Sequence, residues 1–193
     1  MPPREDVIAA RGELKREALV GCGRLPPEPR PWYESGMRII SADELAGLAA
    51  RAGTATRGRA NLKLHPELSD PVQRFFNAIS PGSYVRPHRH GAGRWETFVG
   101  IRGRAVMLTF DDGGTVLERA ELAPAGPAVA AEVAGGVWHT VVALEEGTVL
   151  LELKPGPYHP IADKDFAPWA PAEGDPGAAA ALARWLAAAP RRG

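Results

Sequence analysis

Between about Asn61 and Lys154 the chain reads as short apolar runs, rich in β-branched and aromatic residues, punctuated by Gly, Pro and Asp. Runs of that length and character predict strands, here around residues 75–79, 83–86, 95–101, 104–110, 115–122, 128–133, 137–143 and 148–154. Asp111-Asp112-Gly113-Gly114 and Glu145-Glu146-Gly147 supply hairpin turns, and Gly135-Gly136 allows close backbone approach or positive φ. Eight short strands without an intervening helix predict an all-β, double-sheet jelly-roll barrel.

The flanks follow a different period. Ser41-Ala42-Asp43-Glu44 has the form of a capping box and opens a short helix through Leu45, Leu48 and Ala49 that ends near Gly53. An alanine-rich helix is expected over residues 178–189, with Leu182, Trp185 and Leu186 on one face. The spacing of Val7, Ile8, Leu14, Ala18 and Leu19 predicts a further helix, followed by an extended linker at Pro26-Pro27-Glu28-Pro29-Arg30-Pro31. The expected organisation is an N-terminal helical segment and linker (1–40), a helix packed on the barrel (41–60), the barrel (61–157) and a C-terminal extension (158–193).

Composition narrows the function. Lys and Arg number 23, as do Asp and Glu, so the formal net charge is zero over 193 residues. This argues against a nucleic-acid binder that relies on a general positive field. A single cysteine, Cys22, makes neither an intrachain disulfide nor a cysteine-based zinc site. The first residues lack the apolar core of a signal peptide, and no apolar run approaches the ~18 residues of a membrane span. A soluble cytoplasmic protein with no membrane partner is the expectation.

The chemistry concentrates in three of five histidines. In Pro87-His88-Arg89-His90 the imidazoles are one residue apart, which on a strand puts both on one face. Glu96 follows a Gly-rich bend and shares inward parity with Phe98 and Gly100, and His139 follows Gly135-Gly136 with the parity of Val137 and Val141. Three neutral imidazoles and a carboxylate suit a divalent transition metal such as Fe, Mn, Ni or Zn. Tyr84 and Arg86 share the parity of the two histidines and are expected to face the same cavity. There Arg86 either neutralises a buried acid or holds an anionic ligand. Lys154 at the barrel rim, Tyr158 on the next loop and Asn77 are further ligand-binding candidates, with Arg86 and Tyr158 the candidates for a catalytic role. Arg89 and Trp138 are expected to point outward, Trp138 under the terminal segments or into a homodimer interface. His65 and His159 lie outside the pattern.

Gly82-Ser83-Tyr84-Val85-Arg86-Pro87-His88-Arg89-His90, with Glu96 and Gly103, resembles the first motif of the cupin superfamily, G-x5-H-x-H-x3,4-E-x6-G. Ala134-Gly135-Gly136-Val137-Trp138-His139 resembles the second, P-x-G-x-x-H, with Ala134 in place of the proline. Asp70-Pro71-Val72-Gln73-Arg74, Trp138-His139-Thr140 and Lys154-Pro155-Gly156-Pro157-Tyr158 are similar to the WbuC family of cupin-fold metalloproteins. The resemblance implies a cupin barrel with His88, His90, Glu96 and His139 as metal ligands, and an association with O-antigen and other surface-polysaccharide gene clusters. Five residues separate His90 from Glu96, more than the motif's three or four, so Glu96 is expected to hold the ion less tightly.

Three functions stay open on this reading. The first is a metal-dependent enzyme, of isomerase, epimerase or Fe(II) dioxygenase type, acting on an anionic sugar, sugar nucleotide or hydroxy acid. The second is a noncatalytic metal-stabilised protein that binds such a small molecule. A metal-free epimerase with a histidine base is the third, and it is disfavoured because the ligand set commits all three well-placed histidines.

Overall fold

The computed structural model describes residues 36–159 and 164–188. The N-terminal helix and Pro-rich linker expected over residues 1–35 lie outside them, as does residue 189 of the C-terminal helix. All elements below belong to one compact unit that begins at Arg38.

Ser41 caps helix α1 (Ala42–Thr54), its side-chain oxygen accepting from the Glu44 backbone N–H at 3.1 Å. The reciprocal half of the box is not formed, because the Glu44 carboxylate pairs with Arg38 instead. Ten strands follow: β1 (Arg59–Lys63), β2 (Val72–Ile79), β3 (His88–Arg89), β4 (Glu96–Arg102), β5 (Ala105–Phe110), β6 (Val116–Leu122), β7 (Ala130–Val133), β8 (Trp138–Ala143), β9 (Thr148–Pro155) and β10 (Asp165–Phe166). Helix α2 (Ala178–Ala187) closes the described chain.

The strands form two five-stranded sheets, β1-β2-β9-β4-β7 and β10-β3-β8-β5-β6, with antiparallel pairing throughout. This is the all-β jelly roll that the strand pattern predicts. Ile79, Phe98, Met107, Val141 and Leu150 pack between the sheets. Both outer faces are also covered. Leu48 and Ala52 of α1 lie on Phe76, Ala78 and Val149 of the first sheet. On the second sheet, Val106, Leu108, Phe110 and Trp138 meet Ala167, Ala170, Leu182 and Trp185.

The strand expected at 83–86 does not form, for a reason visible in its backbone bonds. The carbonyls of Tyr84, Val85, Arg86 and Pro87 accept from the Arg59 guanidinium, the Thr140 hydroxyl, His88 Nδ1 and the Ala167 N–H. None of these donors belongs to a strand ladder, and Pro87 has no N–H to give. Conversely, β1 was not anticipated, because Arg59-Ala60-Asn61-Leu62-Lys63 carries only two apolar residues. Its period of two is nonetheless regular. Ala60 and Leu62 pack beneath α1, while Arg59, Asn61 and Lys63 face the barrel interior.

The loop after His90 and the turn that leads to His139 touch at Gly135. A Cβ there would lie 2.4 Å from the Gly91 carbonyl oxygen and 2.9 Å from the Arg94 nitrogen. Gly136, at φ +88°, sends its N–H to the His90 carbonyl at 2.8 Å. Replacing Gly135 with Ala should therefore destabilise the fold by about 1–3 kcal/mol through overpacking against backbone that has little room to yield. Gly91→Ala, whose Cβ meets nothing within 4 Å, should leave the melting temperature close to wild type. Equal melting temperatures for the two variants would refute this account of the loop contact.

Candidate metal centre

Four side chains converge inside the barrel. His88 is level with His139 in the β3–β8 ladder, His90 lies just past β3, and Glu96 opens β4 on the opposite sheet. Each offers one ligand atom, these atoms lie within 4.8 Å of one another, and all four residues are buried. The backbone sets the imidazole tautomers. A carbonyl can only accept, so Nδ1 of His88 donates to Arg86 at 3.0 Å and Nδ1 of His139 donates to Val137 at 2.9 Å. Both rings therefore present Nε2 to the cluster, as metal-bound histidines anchored by a backbone carbonyl do.

These donors fit a metal. His139 Nε2 lies 2.9 Å and His90 Nε2 3.3 Å from Glu96 Oε2. With Nδ1 protonated, a neutral His139 turns its Nε2 lone pair toward the carboxylate oxygen, so either a proton on Nε2 or a bound cation lies between them. Burial, with the charges of Lys164 and His139, holds the His88 imidazole well below its ordinary range and keeps it neutral. A divalent ion about 2.0–2.2 Å from each donor keeps those donors within about 4.4 Å of one another. A contraction of a few tenths of an ångström would thus seat it. The set of three nitrogens and one oxygen matches borderline divalent metals.

The extra residue between His90 and Glu96 does not draw Glu96 out of the site. It is absorbed by a turn in which the Arg94 N–H reaches the Gly91 carbonyl at 3.1 Å, with Gly93 at φ +77°. Glu96 stays 2% exposed, within reach of two imidazoles.

A residue not singled out from the sequence stands beside it. Glu152 shares a strand face with Lys154, and Lys154 Nζ lies 3.6 Å from Glu96 Oε1 and 3.9 Å from Glu152 Oε1. Burial, then the Glu96 charge and a hydrogen bond to it, push the Glu152 carboxyl well above the usual carboxylate range. For Glu96, burial acts upward but is outweighed by hydrogen bonds from His139, His90 and Glu152 and by Lys154, which hold it well below that range. Glu96 is thus the member of the pair held toward its charged form and Glu152 the one held toward its neutral form. Strand alternation through Thr148, Leu150, Glu152 and Lys154 was the available signal.

The centre opens into a cavity of about 420 Å³. Arg86, Lys154, Tyr158 and Asn77 line it. Lys154 is not at the rim but 8% exposed, its ammonium 5.5 Å from the Tyr158 ring centroid and 5.9 Å from that of Phe75. Asn77 donates to Glu152, not to a metal ligand, and accepts from Asn61. Tyr84 is a correction. Because residues 83–87 are not a regular strand, parity fails there: its ring stacks on Trp185 at 6.2 Å and its hydroxyl donates to the Pro171 carbonyl at 2.8 Å. It does not line the cavity. Burial pushes this phenol up to about 12. Trp138 points away from the cavity and packs under Trp169, donating to Asp112 at 2.9 Å. Arg89 is not merely solvated but lies over the Trp138 ring at 4.2 Å.

A family model described as a domain of unknown function (DUF6016) matches residues 40–122, less than half of the chain. That span contains His88, His90 and Glu96 and ends before His139. No curated protein matches the chain. Among solved structures, KdgF from Halomonas sp. is 17% identical with a TM-score of 0.41, over 53% of this chain and 82% of that one. Oxalate decarboxylase from Bacillus subtilis is 18% identical with a TM-score of 0.44, over 56% of this chain but only 27% of the decarboxylase. The Cupin_2 domain of an XRE family transcriptional regulator from Enterobacter cloacae is 23% identical with a TM-score of 0.41, over 52% of this chain and 98% of the domain. No helix among the described residues is long and apolar enough to cross a membrane.

The purified protein should carry close to one divalent ion per chain by elemental analysis, and His88→Ala or His139→Ala should remove most of it. Full metal content in both variants would place the ion elsewhere. In the metal-stripped protein two pH effects oppose each other. The depressed His88 contributes stability that is present above its ordinary 6.5 and lost as pH falls through its lower folded value. The raised Glu152 contributes stability that is present below 4.5 and lost as pH rises through its folded value. Glu152→Gln should therefore flatten the alkaline side of the melting-temperature profile and leave the acidic side unchanged.

Proposed function

We propose that this chain is a cupin-type metal-binding protein whose cavity takes a small anionic ligand bearing oxygen donors: an anionic sugar, a sugar nucleotide or a hydroxy acid. The observation that carries the reading is Arg86. Among the described residues no carboxylate pairs with it. Its Nη2 donates to the Ala167 carbonyl at 3.0 Å, its guanidinium lies 5.2 Å from the Phe166 ring centroid, and its buried Nε has no acceptor. A guanidinium has five N–H groups in a planar fork, and a cation left so poorly satisfied at a cavity wall suits a carboxylate or phosphate.

His88, His90, Glu96 and His139 would hold the ion, and a bound divalent metal supplies Lewis-acid polarisation of a coordinated oxygen. Arg86 holds the anionic group and fixes the ligand's orientation. Lys154, anchored by Glu96 and Glu152, adds positive charge on the facing sheet. Phe75 and Tyr158 supply apolar faces that shed water from the ligand's carbon skeleton. The resemblance to WbuC proteins favours a carbohydrate from surface-polysaccharide synthesis within this class.

Calorimetric titration of the zinc-loaded protein should show D-glucuronate binding well ahead of neutral D-glucose. Arg86→Gln should weaken glucuronate by roughly 10- to 100-fold, the scale of a hydrogen bond to a charged group, with metal content unchanged. Equal binding of glucose and glucuronate, or an Arg86→Gln variant that binds as wild type, would overturn the assignment.

A further inference from the structure

His65 lies outside the motif pattern, yet the structure puts it on the cavity wall. It follows β1, is 6% exposed, and presents its ring edge to Phe75 at a centroid distance of 6.2 Å. The Arg74 backbone N–H donates to its Nδ1 at 3.0 Å. The Arg74 carbonyl oxygen lies 2.9 Å from the same Nδ1, so the Arg74 peptide engages Nδ1 in either tautomer and leaves Nε2 to donate or accept elsewhere. No hydrogen-bond partner for Nε2 is found among the described residues, and the ring lines the same cavity as Arg86 and the metal cluster.

Register gives the separation. Gln73 of β2 is level with Lys154 of β9, and Lys154 in turn reaches Glu96 of β4. His65 is bonded to the residue after Gln73, so His65, Lys154 and Glu96 lie in one band across the first sheet. His65 continues the line of β1 beside β2, so it stands three strand spacings, about 14 Å, from β4. A two-carbon acid held at the cluster cannot cross that band. An extended six-carbon acid, with about 6 Å between its terminal carbons and a hydroxyl at the far end, can approach an imidazole that points inward from the far side of the band. Phe75 and Tyr158 flank the route, and both rings contact the Lys154 ammonium.

We infer that His65 is a specificity-determining residue: its Nε2 hydrogen-bonds a ligand hydroxyl remote from the metal, so that the cavity selects polyhydroxy acids of about five or six carbons over shorter ones. This rests on the anionic-ligand reading above and narrows it to a class.

The test is a ladder of glycolate, glycerate, threonate and gluconate titrated into the zinc-loaded protein. For wild type, affinity should step up by roughly three- to tenfold between the short and long acids, the worth of one added hydrogen bond. His65→Phe should erase that step while leaving glycolate affinity and zinc content unchanged, and His65→Gln, which retains a donor, should restore part of it. A wild-type ladder without a step overturns the inference even if His65→Phe fails to fold. So does a step that persists in His65→Phe. If none of the acids binds the zinc-loaded wild type, the anionic-ligand reading itself fails, which is a different result from acids that all bind alike.

Discussion

Everything in this barrel is arranged around one buried negative charge. Glu96 is 2% exposed, and stripping a carboxylate of water costs several kcal/mol unless positive charge and hydrogen bonds replace it. The protein supplies that replacement from both sheets: two imidazoles from the β3–β8 side, and Lys154 beside Glu152 from β9. The charge thereby ties the halves of the barrel together. With the proposed divalent ion in place, the six Lys and Arg side chains of the cavity lining would outweigh its three carboxylates, Glu96, Glu152 and Glu173. That surplus is the electrostatic ground on which an anionic ligand is proposed.

The polar interior has a cost that the rest of the fold meets. Strands of a one-sided sheet bury their apolar face inward, whereas here β1 turns Arg59, Asn61 and Lys63 toward the cavity, and β9 does the same with Glu152 and Lys154. Their apolar residues, Ala60, Leu62, Val149 and Leu151, face outward and would be left in water without α1 above them. The second sheet is treated alike: Phe110 and Trp138 are sealed by Trp169 and Trp185 from the C-terminal segment. The flanking segments are thus structural partners of the cavity, since they let the barrel spend its interior on chemistry.

The jelly roll and the metal cluster were legible because each rests on a local pattern that tertiary context does not override: runs bounded by turns for the strands, and His-x-His, Glu and Gly-Gly-x-x-His for the cluster. Parity failed at Tyr84, because it presumes ladder bonding, and the carbonyls from Tyr84 to Pro87 are taken by side chains and a distant backbone N–H. Glu152 and His65 were missed for a different reason. Neither belongs to a motif, and their importance arises from what lies across the sheet, which strand register decides and a single sequence does not display. Lys154 was read as a rim residue because it ends its strand; its neighbours Phe75 and Tyr158 bury it.

The longer His90–Glu96 loop shows how such a site tolerates a change of length. An added residue in a strand would have rotated Glu96 out of the cluster, since a slip of one position exchanges the two faces. Placed in the bend instead, it is taken up by Gly93 in the left-handed region and by the Arg94-to-Gly91 turn, so β4 still begins with Glu96 facing inward. The remodelled loop then needs a surface to rest on. Gly135 provides one by having no side chain, and the Gly136 N–H ties the loop to His90. Loop length and the glycine pair are therefore coupled through direct backbone contact: with a bulkier residue at 135, the loop would have to lift, and His90, whose carbonyl is part of that contact, would move away from Glu96.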